Sequence, residues 1–174
     1  PLSALVAEAY EIGGRTKLDP TLILAIMAIE SNFNPFAQSA VGAQGLMQVM
    51  TTVHTEKYQS FGGHFAAFDP VSNLRVGVKV LQECIARAGS IEGGLRYYVG
   101  AANLPDDGGY TAKAMAEHAR LKQVASGRSV PLNAPAMLST QAPASPAQTT
   151  PATSRNTPSA AENDNKVALL TTGL

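Results

Sequence analysis

The sequence predicts a mainly α-helical domain, broken by one small glycine-rich hairpin or loop and followed by a disordered C-terminal tail. Three observations carry this expectation. Apolar residues recur three and four positions apart through most of the first 127 residues, the spacing of one helix face. Asp-Pro pairs at 19–20 and 69–70 introduce two of these runs, an acidic cap followed by the residue best suited to a first helical turn. From Arg128 onward, Pro131, Pro135, Pro143, Pro146, Pro151 and Pro158 fall among Ala, Ser, Thr, Gln and Asn. So little apolar surface cannot offset the entropy of ordering. The expected division is a domain at 1–127 and a low-complexity tail at 128–174.

The elements follow in order. Leu2, Leu5, Val6, Ala9 and Ile12 form a first helical stripe, with Gly13-Gly14 as its expected stop. A second helix spans Asp19 to Asn32. It is apolar at every position from Leu22 to Ile29, which marks a helix buried on nearly all faces. Pro35 bars its continuation. Ser39 to Met50 holds two glycines, a serine and two glutamines, a composition suited to a compact loop or hairpin packed close to its surroundings. Thr51 to Gln59 is compatible with a short helix whose His54 and Glu56 face solvent. Asp69-Pro70 opens a helix striped by Leu74, Val78, Leu81 and Ile85 and stopped by Gly89. Gly77 inside it costs about 1 kcal/mol relative to Ala, so another backbone is expected to pack there. Ser90 caps a helix through Leu95 and Tyr98, and Tyr110 to Val124 forms the last, closed by Gly127.

Composition narrows the function classes. A chain of 174 residues has room for one domain of about 100–150 residues with a real core. Thirteen basic and 13 acidic residues give zero net charge, so no basic surface points to nucleic acid or anionic lipid. The single cysteine, Cys84, excludes an intramolecular disulfide and a Cys-based metal site. Its neighbours Val80, Leu81 and Ile85 make it a buried, inert thiol. His54, His64 and His118 lack ligand spacing, and neither a metal nor a cofactor is expected. No apolar run is long enough to span a bilayer. A start at Pro1 is expected of a processed or trimmed product, with any secretion signal upstream. No internal repeat is evident.

Glu30 is the candidate for chemistry. It closes the apolar run of the second helix, and a carboxyl among apolar neighbours is disfavoured in its charged form. A carboxyl that keeps its proton near neutral pH is what a general acid requires. The competing reading is that Glu30 sits at a helix end and simply reaches solvent.

The residues after Glu30 bear on that choice. Glu30-Ser31 is followed at fixed distance by Ser39, Gly42-Ala43 and Gly45-Leu46-Met47-Gln48. This combination closely resembles the catalytic domain of the soluble lytic transglycosylases, glycoside hydrolase family 23, which has a lysozyme-like fold. Phe68-Asp69-Pro70, Asn73-Leu74 and Gly77 resemble a second family block, in which a helix backs the active cleft. Gly94-Leu95-Arg96-Tyr97-Tyr98-Val99-Gly100 resembles a third, usually Ala-Tyr-Asn-Ala-Gly. The likeness covers roughly Leu2 to Ala125. Two departures stand out. Tyr98 occupies the asparagine position, and a phenol does not reproduce an amide's paired donor and acceptor; Asn103 is the nearby amide that offers a replacement. Thr51 stands where proline is common, a change expected to alter only a helix start.

The resemblance implies a lytic transglycosylase acting on peptidoglycan glycan strands, at the β-1,4 bond between N-acetylmuramic acid and N-acetylglucosamine. It implies that Glu30 serves as acid and then base, with a 1,6-anhydro product and periplasmic export. It further implies that Ser39, Gln48 and Met50 contact the glycan and that the Tyr97 hydroxyl helps hold Glu30. Composition alone also allows Met47 and Met50 as core fillers and Ser39 as a stabiliser of its own turn. Two other functions stay open: a hydrolytic muramidase, and a non-catalytic wall-binding or assembly module. Small one-domain transglycosylases often serve a secretion, conjugation or pilus apparatus. A tail carrying Val167-Ala168-Leu169-Leu170 near its end suits tethering to such a machine and equally a sticky terminus.

Overall fold

The computed structural model describes residues 2–131, the His64 side chain excepted. Within them six helices surround one hydrophobic core, and a two-residue-strand hairpin is the only sheet among the described residues. The tail beyond Pro131, including its apolar end, lies outside the described residues.

The first helix, α1 (Leu2–Thr16), does not stop at Gly13-Gly14 as expected. A Cβ added to Gly13 would lie 2.8 Å from both the Leu18 carbonyl oxygen and Pro20 Cγ. Glycine is needed there for the close passage of the next segment, not as a terminator. The second helix, α2 (Pro20–Ser31), starts as the Asp-Pro pair requires: Asp19 Oδ1 accepts from the Thr21 amide at 2.9 Å. All seven residues from Thr21 to Met27 are buried. Asn32 ends the helix in the left-handed conformation at φ +50°, a role asparagine fills more readily than most residues.

The hairpin pairs β1 (Ala43–Gln44) with β2 (Val49–Met50), antiparallel, with Ala43 opposite Met50 and Gln44 opposite Val49. A short helix, α3 (Thr55–Tyr58), follows, then 3-10 turns at Gln59–Phe61 and His64–Phe68. His54, expected in solvent, is buried beside α3 at 5% exposure. Burial pushes its imidazole below the ordinary histidine value, and the Lys57 charge adds to the effect. Glu56 is exposed and pairs with Lys57 at 2.9 Å.

The longest helix, α4 (Pro70–Ala88), is capped by Asp69, which accepts from the Ser72 amide at 2.8 Å, and ends at Gly89 with φ +75°. Gly77 is a site of close approach, though by a side chain rather than a backbone: an added Cβ would lie 2.4 Å from Met47 Cβ. Cys84 is buried, and burial pushes its thiol up to about 11. Ser90 caps α5 (Ile91–Tyr98), which lies against α4 so closely that a Cβ on Gly94 would meet Ile85 Cα at 2.8 Å. The last helix, α6 (Tyr110–Ala125), lies along α2. His118 Nε2 at 3.2 Å and Lys122 Nζ at 3.3 Å meet the second Asp19 oxygen, so one carboxylate both caps α2 and ties α6 to it. The core between these helices contains Ile23, Ile26, Met27, Leu46, Met47, Leu74, Leu81 and Leu95, all essentially inaccessible.

Candidate active site

Glu30 lies half-buried in the last turn of α2, where a negative charge opposes the helix carbonyl dipoles. The helix end around it is stitched in place. The Asn32 amide donates to Ala28 O at 3.1 Å and the Phe33 amide to Met27 O at 3.3 Å. Ser31 Oγ lies 3.1 Å from Met27 O and 2.9 Å from Leu46 O, bridging the helix to the hairpin.

Two phenols from different helices are electrostatically coupled to this carboxyl. Tyr110, at the first position of α6, is 6% exposed, and its hydroxyl is electrostatically coupled to Glu30. Tyr98, at the end of α5, is equally buried and donates to Met47 O at 2.6 Å. Burial, then the Glu30 charge, hold both phenols well above the ordinary tyrosine range. Both therefore remain neutral donors at physiological pH.

The hairpin loop is fixed against α4 by Asn73, which is wholly buried. Its Oδ1 accepts from the Met47 amide at 2.8 Å, and its Nδ2 donates to Gln44 O at 2.9 Å and to Tyr58 Oη at 3.0 Å. Gly45 makes this possible. It holds φ +77°, and an added Cβ would lie 2.3 Å from Ala67 O and 2.4 Å from Asn73 Nδ2. The sequence block around Asn73 and Gly77 thus acts on the loop by two routes, a polar latch and a cradle for Met47.

The residues singled out by resemblance fall as follows. Ser39 is half-buried; its Oγ accepts from the Ala43 amide at 3.0 Å, which leaves its O–H able to donate elsewhere. Gln48 is buried at φ +46°, and its Nε2 donates to Ala37 O at 3.1 Å and Gly45 O at 3.0 Å. Both amide hydrogens are thus spent on the loop, and Oε1 is the atom left for a ligand. Met50 is half-buried, whereas Met47 is a core residue. Tyr97 is half-buried with the Arg87 guanidinium 4.7 Å from its ring centroid, a cation–π contact. The phenols coupled to Glu30 are Tyr98 and Tyr110. Asn103 is exposed on the α5–α6 connection. Thr51 does more than start a helix: buried, it donates to Gln44 Oε1 at 2.7 Å and braces the hairpin. Sequence reasoning missed Tyr110, whose only local signal is an aromatic residue opening a helix directly after Gly108-Gly109.

Three other carboxylates have structural work. Asp69 caps α4, Asp107 accepts from the Gly109 and Thr111 amides at the start of α6, and Glu56 pairs with Lys57. Among the described residues no group of three or more His, Cys, Asp or Glu side chains is placed to hold a metal ion. The arrangement offers one half-buried carboxyl, a neutral phenol, Tyr110, coupled to it, and a rigid loop braced by a second phenol, Tyr98, which suits proton transfer by a single group.

Comparison with known proteins gives the family. Residues 9–118 match the family model of the transglycosylase SLT domain. The chain is also similar to a protein named transglycosylase from Enterobacteria phage PRD1, 35% identical over 94 residues. That match covers 54% of this chain and 34% of the phage protein, so the chain spans about a third of its relative.

Proposed function

Because the chain belongs to the transglycosylase SLT family, we propose that it is a peptidoglycan lytic transglycosylase. It cleaves the β-1,4 bond between N-acetylmuramic acid and N-acetylglucosamine and leaves a 1,6-anhydromuramic acid end. The observation that carries this reading is Glu30, half-buried at the end of a buried helix and coupled to the buried Tyr110 phenol, with Asp69 and Glu56 engaged as a cap and a surface pair.

Most glycosidases divide the work between two carboxyl groups. One carboxyl suffices when the substrate assists. Glu30 as acid gives its proton to the bridging oxygen while the 2-acetamido oxygen attacks the anomeric carbon. The bond to N-acetylglucosamine breaks and the positive charge passes to the resulting ring. Glu30, now a carboxylate, takes the proton of the C6 hydroxyl, and O6 displaces the acetamido oxygen. The carboxyl is regenerated and no water is consumed. The carbonyl dipoles of the last helical turn disfavour a negative charge there, which favours the proton-donating form that the first step uses. Tyr110 fixes the carboxyl's orientation in both stages, a positioning task that accounts for a large share of general acid–base catalysis.

Ser39 donates to the sugar near its acetamido group, Gln48 accepts through Oε1, and Met50 supplies an apolar contact. Tyr97 takes a place at the edge of the binding region. Glycan strands as substrate imply action in the periplasm, and no helix of the described residues is long and apolar enough to cross a membrane. The composition of residues 128–174 suits a tether to a secretion, conjugation or pilus apparatus.

Digestion of purified sacculi followed by mass spectrometry tests the reading. Muropeptides lighter by one water and lacking a reducing end are expected. Reducing ends would make the protein a muramidase, and binding without clearing would make it a wall-binding module.

A further inference from the structure

Gln48 holds a left-handed backbone at φ +46° although it is not glycine. Such a conformation persists only where the surroundings over-determine it. Part of the constraint is local: the Gln48 amide donates to Gly45 O at 3.1 Å, and its side chain bonds Ala37 and Gly45. The rest comes from outside the loop and acts on Met47, the residue just before Gln48. Asn73 accepts the Met47 amide at 2.8 Å, Tyr98 donates to the Met47 carbonyl at 2.6 Å, and Gly77 makes room for the Met47 side chain. Among the described residues, Tyr98 is the only hydrogen-bond donor to that carbonyl. Without the hydroxyl, a buried carbonyl would lose its partner, and the Met47–Gln48 peptide would be held from one side, by the Gln48 amide on Gly45 O.

We infer that Tyr98 is a positioning residue that sets the Met47–Gln48 peptide and, through it, the glycan-contacting Oε1 of Gln48. The inference deepens the transglycosylase reading and rests on it for its consequence in binding. Tyr98 reaches this carbonyl from α5 while its phenol lies in the field of Glu30. Removing the hydroxyl mis-sets the loop without touching the proton-transfer group. The effect falls on glycan affinity before it falls on turnover.

The test compares wild type with Tyr98→Phe, using soluble glycan strands and hydrogen exchange read residue by residue. In the variant the half-saturating glycan concentration is expected to rise about tenfold with kcat within about twofold. The Gln48 amide is expected to exchange at least about tenfold faster while the α2 amides are unchanged. An unchanged half-saturation with unchanged Gln48 exchange overturns the inference. So does a uniform acceleration across the chain, the mark of a purely structural role. If the wild type cleaves no glycan, the function reading fails, and the Gln48 exchange still decides the clamp. Should Tyr98→Phe fail to fold, the wild type decides: a slowly exchanging Tyr98 hydroxyl proton supports the clamp, and a rapidly exchanging one overturns it.

Discussion

Replacing Gly45 by alanine tests whether the hairpin loop is held as closely as its geometry requires. The residue sits at φ +77°, where an L side chain costs about 1–2 kcal/mol. The added Cβ would also stand 2.3 Å from Ala67 O and 2.4 Å from Asn73 Nδ2, so Asn73 or the Ala67 backbone must move. Asn73 makes three hydrogen bonds in the core, and their disruption adds about 3 kcal/mol at a net of about 1 kcal/mol each. The sum, about 4–5 kcal/mol, is a large part of the 5–15 kcal/mol typical of a domain. Urea unfolding should show a midpoint lower by about 2–3 M for a slope near 1.5–2 kcal/mol/M. Gly42→Ala is the internal control. Its φ is +89°, yet nothing lies within 4 Å of an added Cβ, so it should cost only the backbone part, about 1–2 kcal/mol. If Gly45→Ala is no more than about 1 kcal/mol worse than Gly42→Ala, the close packing of the loop on Asn73 is not energetically real.

Tyr110→Phe should fold and lose about tenfold or more in kcat, because Glu30 loses the phenol coupled to it; wild-type kcat would remove Tyr110 from the proposed machinery. Asp19 gives a pH prediction. Burial pushes its carboxyl up, but the Thr21 hydroxyl and amide, His118 and Lys122 outweigh this and hold it well below the usual carboxylate range. A depressed carboxylate contributes stability above its unfolded value and loses it as pH falls. Stability should therefore drop from about pH 4 downward, and Asp19→Asn should flatten that limb; an unchanged slope would refute the assignment. Gly14→Ala should raise stability by about 0.5–1 kcal/mol, since the site is helical and open space surrounds an added Cβ. Denaturant unfolding that shows a loss instead would mean the helix does not run through Gly14.

The helical plan was legible where local chemistry decides it. Asp19-Pro20, Asp69-Pro70 and Ser90 each start a helix, and Gly89 ends one, because caps and left-handed stops depend on a few adjacent residues. Gly13-Gly14 misled because glycine serves two needs that look alike in sequence, a stop and a close approach. Only the path of Leu18 and Pro20 distinguishes them. His54 was read as solvated because a short polar helix carries no periodic signal strong enough to reveal its buried side. At the candidate site, Glu30 and the glycine-rich loop announce themselves by composition and spacing. Tyr110 does not, since its meeting with Glu30 depends on α6 lying along α2. Tyr98 looked like a lost amide, and the length of a phenol lets it reach Met47 O by another route.

The most direct measurement is the rate of solubilisation of purified peptidoglycan by Glu30→Gln beside wild type, with circular dichroism of both. An amide of the same shape cannot lend and recover a proton, so the variant should keep its helical spectrum and release no more than a few per cent of the wild-type product. Substantial release of anhydro-ended fragments by the folded variant would contradict a mechanism that runs through this one carboxyl.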